Sequence, residues 1–174
     1  MRKMEDLEKI TTILTGEFDN KEQFNSLSEA EKATFPYAVH KNHIVNKKIN
    51  NLPKDFNGIY LHEESYYTLK GKEKFKSDLF LFTYDNTGKV TLNAITVPKE
   101  ATNCKYLDLK SLNYNDLSIS VKFVPLKYVE HNGIFSGESK SMFTKSTEFI
   151  LKQNISTERL IIKESLVKLS YFFI

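Results

Sequence analysis

Gly58-Ile-Tyr-Leu-His-Glu-Glu-Ser-Tyr-Tyr-Thr-Leu69 decides the fold class. It is rich in β-branched and aromatic residues and stops at Lys70-Gly71, so it predicts a long β-strand. Downstream, Leu79-Phe-Leu-Phe-Thr-Tyr84 runs into Asp85-Asn-Thr-Gly88, and residues 89–97 return as the second arm of a hairpin. Further strands are predicted over 117–124, 128–130, 134–138, 143–153 and 159–173, with His131-Asn-Gly133 as another hairpin turn. Residues 98–113 form a longer connection. Upstream, 36–49 alternates loosely through Tyr37, Val39, Ile44 and Lys47, and Asn50-Asn-Leu-Pro-Lys-Asp55 is a loop or a turn of helix. About eight to ten short strands without βαβ alternation call for a closed antiparallel barrel or a sandwich. A barrel removes exposed edges and can hold a ligand in its mouth, so a single β-barrel domain over 1–174 is the expectation.

The N-terminal segment has a different period. Met4, Leu7, Ile10 and Leu14 recur at helical spacing with Glu5, Asp6, Glu8 and Lys9 opposite them. That predicts an amphipathic helix of about three turns, ended near Gly16, which plugs or flanks the barrel. Residues 16–24 can be extended, and Ser28 with Glu31 has capping-box spacing for a short helical turn.

Composition bounds the function. The chain has 174 residues, 40% apolar and 27% charged, which suits one globular domain. The net charge is +3, from 25 basic and 22 acidic residues with no dense basic block, which argues against nucleic acid and anionic membranes. No apolar run reaches the roughly 18 residues of a membrane span. Residues 1–12 lack the apolar core of a secretory signal, so a cytoplasmic protein is expected. Cys104 stands alone, which excludes an intramolecular disulfide. His40 and His43 fall on opposite sides of a strand with no third ligand nearby, so no metal is expected.

Leu14, Gly16, Phe18, Asn20 and Gln23 behind a short helix form a pattern that resembles the T-type phycobiliprotein chromophore lyases, the CpcT/CpeT family. Tyr60-Leu-His-Glu-Glu-Ser-Tyr-Tyr67, a strand bearing an acidic pair, carries a second likeness, and the two cover about residues 5–95. The resemblance implies a calycin-like (lipocalin-like) antiparallel barrel, frequently a homodimer. It implies binding of an open-chain tetrapyrrole (a bilin) and its delivery to a cysteine of an acceptor protein. The function expected is therefore a barrel that binds a small hydrophobic or conjugated ligand, with chromophore lyase activity as one form. A non-enzymatic carrier or protein-interaction barrel is the other.

Two constellations are candidate sites. Glu17, Asp19, Asn20 and Gln23 can rim the mouth and hydrogen-bond amide or pyrrole nitrogens, or Asn20 and Gln23 can simply satisfy backbone groups. Strand parity sets His62, Glu64 and Tyr66 on one face and Glu63, Ser65 and Tyr67 on the other. Whichever face looks inward gains a carboxylate and a tyrosine, and a buried Glu beside a Tyr suits proton transfer. An inward acid paired with a cation such as Arg159 is the alternative. Glu17, Glu63 and Glu64 are the catalytic candidates. His62, Tyr66 and Tyr67 join Glu17, Asn20, Gln23 and Glu64 as candidate ligand contacts. Cys104, with Lys105 to lower its pKa, is a candidate nucleophile or else a buried filler. Phe75, Phe80, Phe82 and Tyr84 can stack on a flat ligand or form plain core.

Overall fold

The computed structural model describes residues 2–168. Helix α1 (Arg2–Leu14) leads into β1 (Gly16–Asp19), the short helices α2 (Lys21–Ser26) and α3 (Glu29–Lys32), and β2 (Tyr37–Ile44). Next come β3 (Ile49–Asn50), β4 (Ile59–Leu69), β5 (Lys72–Tyr84), β6 (Val90–Thr96), β7 (Leu112–Asn113) and β8 (Ser118–Ile119). The chain finishes with β9 (Leu126–His131), β10 (Ile134–Thr144), β11 (Thr147–Ile155) and β12 (Leu160–Lys168). The protein is mainly β, as its sequence predicts, and among the described residues no helix is long and apolar enough to cross a membrane.

One antiparallel sheet runs in the order β1-β2-β4-β5-β6-β9-β10-β11-β12, with β8 attached to β6. Its order follows from its turns. Asn132 and Gly133 have φ of 52° and 81°, the left-handed pair that a tight hairpin between β9 and β10 requires. Gly137 on β10 is needed for another reason: a Cβ there would collide with Leu126 and the Lys127 carbonyl on the neighbouring strand.

The expected closed barrel is corrected to a half-barrel. The path ends at β1 and β12, and these two edges do not pair among the described residues. β1 has only four residues before α2 begins, and Gln23 and Phe24 are helical rather than extended. The strand expected over 117–124 shrinks to β8, with Val121 fully exposed beyond it. β5 and β10 are longer than expected, because each pairs along its length with a long neighbour. The expected last strand reached 173, and its portion beyond Lys168 lies outside the described residues.

Helix α1 decides which face is inside. Leu7, Ile10 and Leu14 share one buried cluster with Leu61, Phe82, Leu92, Leu126, Phe135 and Ile155, drawn from six strands. A single helix can touch that many strands of one sheet only from within its curl, so this face is the concave one. A second cluster, with Tyr60, Leu79, Leu81, Val45, Ile49, Leu109 and Leu112, packs the segments around β3 and β7 onto the convex face. At the helix C-terminus Thr11 and Thr15 return their hydroxyls to the Leu7 and Thr11 carbonyls. The Ser28–Glu31 capping box forms at α3 as predicted.

Candidate functional site

Strand register assigns every side chain of β4 to a face. Leu61 pairs with Ile44 and Phe80, Glu63 with Asn42 and Asp78, Ser65 with His40 and Lys76, and Tyr67 with Ala38 and Lys74. Leu61 lies in the α1 cluster, so Glu63, Ser65 and Tyr67 share its concave face. The same register carries Ser139, Ser141, Gln153 and Glu164 to the opposite wall of this trough. Helix α1 fills only the apolar half around Leu61. Beyond it the concave face is polar on β2 and β4, through His40, Asn42, Glu63 and Ser65, and mixed on β11 and β12, where Phe149 and Leu166 share it with Glu164.

That polar half has a compact centre. Ser65 is 2% exposed and its hydroxyl lies 3.0 Å from His40 Nδ1 and 3.2 Å from Glu63 Oε1. His40 Nδ1 is also 3.6 Å from Glu63 Oε1, and the His40 ring stands edge-on to Tyr67 at 5.7 Å. Asn42, directly opposite Glu63 on β2, is 2% exposed, yet its Oδ1 has no hydrogen-bond partner. Across its other side Asn42 pairs with Gly16, which places no side chain over it. Tyr128 marks the boundary with the apolar half: its hydroxyl donates to Gln153 Oε1 at 2.5 Å. Burial, reinforced by the Glu63 charge, raises the Tyr128 pKa so far that the phenol stays neutral. For Tyr67 burial raises the pKa most, the Ser65 contact opposes it, and the charges of Glu164 and Glu63 add to it.

Ser65, His40 and Glu63 do not form a nucleophilic relay. Such a relay needs the hydroxyl and the carboxylate on opposite ring nitrogens, and here both approach Nδ1. What the cluster offers is a carboxylate and an unpaired amide oxygen, both acceptors, beside two rings.

The other face of β4 is engaged in structure except at one His62 ring nitrogen. Glu64 accepts from the Tyr66 hydroxyl at 2.6 Å and from the Tyr106 backbone N–H at 2.5 Å. Burial pushes its pKa up, but these two hydrogen bonds outweigh it and the net shift is downward. Tyr66 is correspondingly raised to about 12 by burial and by Glu64. His62 Nε2 lies 3.0 Å from the Cys104 carbonyl, which can only accept, so the proton sits on Nε2. Its Nδ1 is buried without a partner, and the ring borders a cavity of about 10 Å³, room for one water. Burial holds the His62 pKa below its ordinary value. His43 stacks on Tyr106 at 3.9 Å, and Lys48 donates to the carbonyls of Tyr106 and Leu109. These contacts fasten the 98–113 connection to the convex face. Arg159, considered as a partner for the inward acid, takes no part: Glu63 meets His40 and Ser65 instead.

The remaining candidates lie outside the trough. Glu17 is exposed on the convex side and pairs with Lys41 at 3.0 Å. Asn20 accepts from the Ala38 N–H and donates to the Pro36 carbonyl, a purely structural role. Gln23 is exposed on α2. Of residues 17–23 only Phe18, opposite His40 on β1, lies on the concave face; Glu17, Asn20 and Gln23 do not rim the trough. Cys104 is not activated: burial and then Asp108 raise its thiol, while Lys105 sits over the rings of Tyr66 and Phe75. Phe80, Phe82 and Tyr84 pack in or against the α1 cluster, and Phe75 lies on the convex face against Tyr66. Sequence reading missed His40 and Asn42 as members of the site. Their signal was the alternation of β2, which puts both on one face, but their meeting with Glu63 and Ser65 depends on register.

A cleft of about 200 Å³ opens beside Asp6, Lys89, Tyr128 and Glu130. Ordinary small-molecule pockets run to about 300–1,000 Å³, so neither cavity encloses a sizeable ligand. Among the described residues no group of three His, Cys, Asp or Glu is arranged to hold a metal. The chain matches no family model, no curated protein and no solved structure.

Proposed function

We propose that this protein is a ligand-binding half-barrel whose polar trough takes a small conjugated ligand rich in N–H donors. The open-chain tetrapyrrole implied by the resemblance to T-type chromophore lyases is the ligand class we favour. The observation that carries the reading is Asn42 Oδ1, buried and unpaired beside the Glu63 carboxylate. An unmet buried acceptor costs about 1–3 kcal/mol, and a pyrrole or lactam N–H would relieve it once the Asn42 side chain turns its oxygen toward the trough. His40 and Tyr67 supply flanking rings, and Glu63 can accept further N–H bonds. The open antiparallel sheet and its inserted leading helix support a calycin-like relationship.

Holding rather than turnover is favoured by the arrangement of His40, which lacks the two-sided contacts of a relay. If a lyase step occurs, Glu63 is the candidate acid that faces the trough, and an acceptor protein would approach its open side. The test is a visible titration with biliverdin and phycocyanobilin. A saturable, red-shifted band is expected in the wild type and in Glu17→Gln, with loss in Asn42→Val and Glu63→Gln. An unchanged spectrum in the wild type sinks the reading.

A further inference from the structure

Apolar side chains reach solvent together at one end of the sheet. Strands β10 and β11 meet there in the Lys145-Ser146 turn, and the end of β12 reaches the same place through the pairing of Lys168 with Thr147. The segment between β8 and β9 leans on this hairpin. Phe123 meets Phe149 edge-on at 5.8 Å, and the Val124 N–H donates to the Ser141 hydroxyl at 2.8 Å. Three segments distant in sequence therefore end side by side. Val121 is fully exposed, and Met142, Phe143 and Leu166 are 51, 45 and 62% exposed.

Lysines accompany them. Lys122, Lys145 and Lys168 are exposed at this end, beside the half-buried Glu148 that faces Met142 and Val167. Lys122 Nζ lies 4.6 Å from the centre of the Phe143 ring and 5.3 Å from that of Phe123. Its stem covers apolar surface while its charge stays free to reach outward, the arrangement that lets lysine snorkel to a headgroup. The sequence spreads these lysines from 122 to 168, so they form no basic block and the overall charge argues against an anionic membrane. Folding gathers them at one end.

We propose that this end of the sheet docks on the surface of an anionic lipid bilayer. Val121, Met142 and Phe143 enter the boundary between headgroups and acyl chains, and the lysines meet the lipid phosphates and carboxylates. Such docking needs no spanning segment, because buried apolar area and attraction to anionic lipid add together at the interface. The lysines select lipid over a protein partner, since protein interfaces are depleted in lysine. The apolar groups also project from a loop, a hairpin turn and a strand end, which suits entry into a soft surface.

Co-sedimentation of the full chain with phosphatidylcholine vesicles containing about 30% phosphatidylserine tests this, with pure phosphatidylcholine vesicles beside them. Binding to the anionic vesicles is expected, with its loss at about 1 M salt. Lys122→Gln should weaken partitioning about fivefold, and Val121→Asp at least as much. Both positions are exposed, so the circular-dichroism spectrum should not change. The chain has no tryptophan, so Val121→Trp supplies a single reporter whose emission should shift to the blue on anionic vesicles. Asn86→Trp should show no shift. β6 and β10 both run antiparallel to β9, which sets the turn before β6 at the opposite end of the sheet from the Lys145-Ser146 turn.

No binding by the wild type, equal binding to both kinds of vesicle, or indifference to both Lys122→Gln and Val121→Asp would each overturn the proposal. Residues 169–174, Leu-Ser-Tyr-Phe-Phe-Ile, follow Lys168 and are the other occupant this patch could take. Vesicle binding that appears only in a chain ending at Lys168 would assign the patch to them and overturn docking by the full chain. None of these readouts uses a ligand of the trough, so this inference and the proposed function fail separately.

Discussion

Leu61 and Glu63 are two residues apart on one face of β4, yet they belong to opposite halves of the trough. Leu61 is buried under α1 with Phe82, Leu92 and Ile155. Glu63 faces His40 and Ser65 in the half that α1 does not reach. The contrast teaches that the helix, and not the sheet, sets the boundary. A helix of this length cannot fill the trough from end to end, and β4 changes from apolar to polar where it stops. The apolar half spends its side chains on stability, whereas the polar half keeps an acceptor unsatisfied.

The strongest way to break this contrast is to remove the plug. Ile10 is fully buried at its centre, and Ile10→Ala should cost about 2–5 kcal/mol in urea unfolding. A loss under about 1 kcal/mol would mean that α1 does not hold the apolar half together.

Acid should act on the wall behind the polar half. Burial lowers the His62 pKa in the folded chain, so it binds its proton at lower pH than in the unfolded chain, where the ordinary value is about 6.5. Stability is thus unaffected above that pH and falls as pH drops below it, by at most about 1.4 kcal/mol per unit. Glu64, whose folded pKa is lowered, adds its own loss as pH falls through the range below 4.5. His62→Gln should flatten the urea midpoint between pH 7 and 5 and leave the more acidic loss in place. A midpoint that stays level in the wild type across that range refutes the assignment.

At the boundary between the halves, Tyr128→Phe removes the hydrogen bond to Gln153 and should cost about 1 kcal/mol by thermal unfolding. The smallest change in stability is expected in the polar half itself. Asn42→Val replaces an unpaired acceptor by an apolar group of similar size, so stability should stay within about 1 kcal/mol or rise. A large loss there would show that the Asn42 side chain is part of the scaffold and would remove the basis for the binding site.

Much of this architecture was legible locally. The apolar period of α1, the β-rich run of β4 ending at Lys70-Gly71, the Asn132-Gly133 turn and the Ser28–Glu31 box each depend on neighbours within a few residues. The site was legible only in part. Parity correctly separated His62, Glu64 and Tyr66 from Glu63, Ser65 and Tyr67. It could not say which group faced the trough, because both faces of β4 carry buried residues, with α1 over the Leu61 end of one and the segments around β3 and β7 over the other. Asn20 and Gln23 looked like a polar rim, yet Asn20 satisfies the backbone of β2 and Gln23 faces solvent on α2.

By itself the sequence determined the mainly β class, the leading helix and the two-sided character of β4, since periodicity and turn chemistry are properties of adjacent residues. Tertiary structure alone decided that the sheet stays open, that α1 fills one half of the trough, and that His40 and Asn42 meet Glu63 and Ser65. Those outcomes depend on the register and curl of strands distant in the chain, and no short window of sequence encodes them.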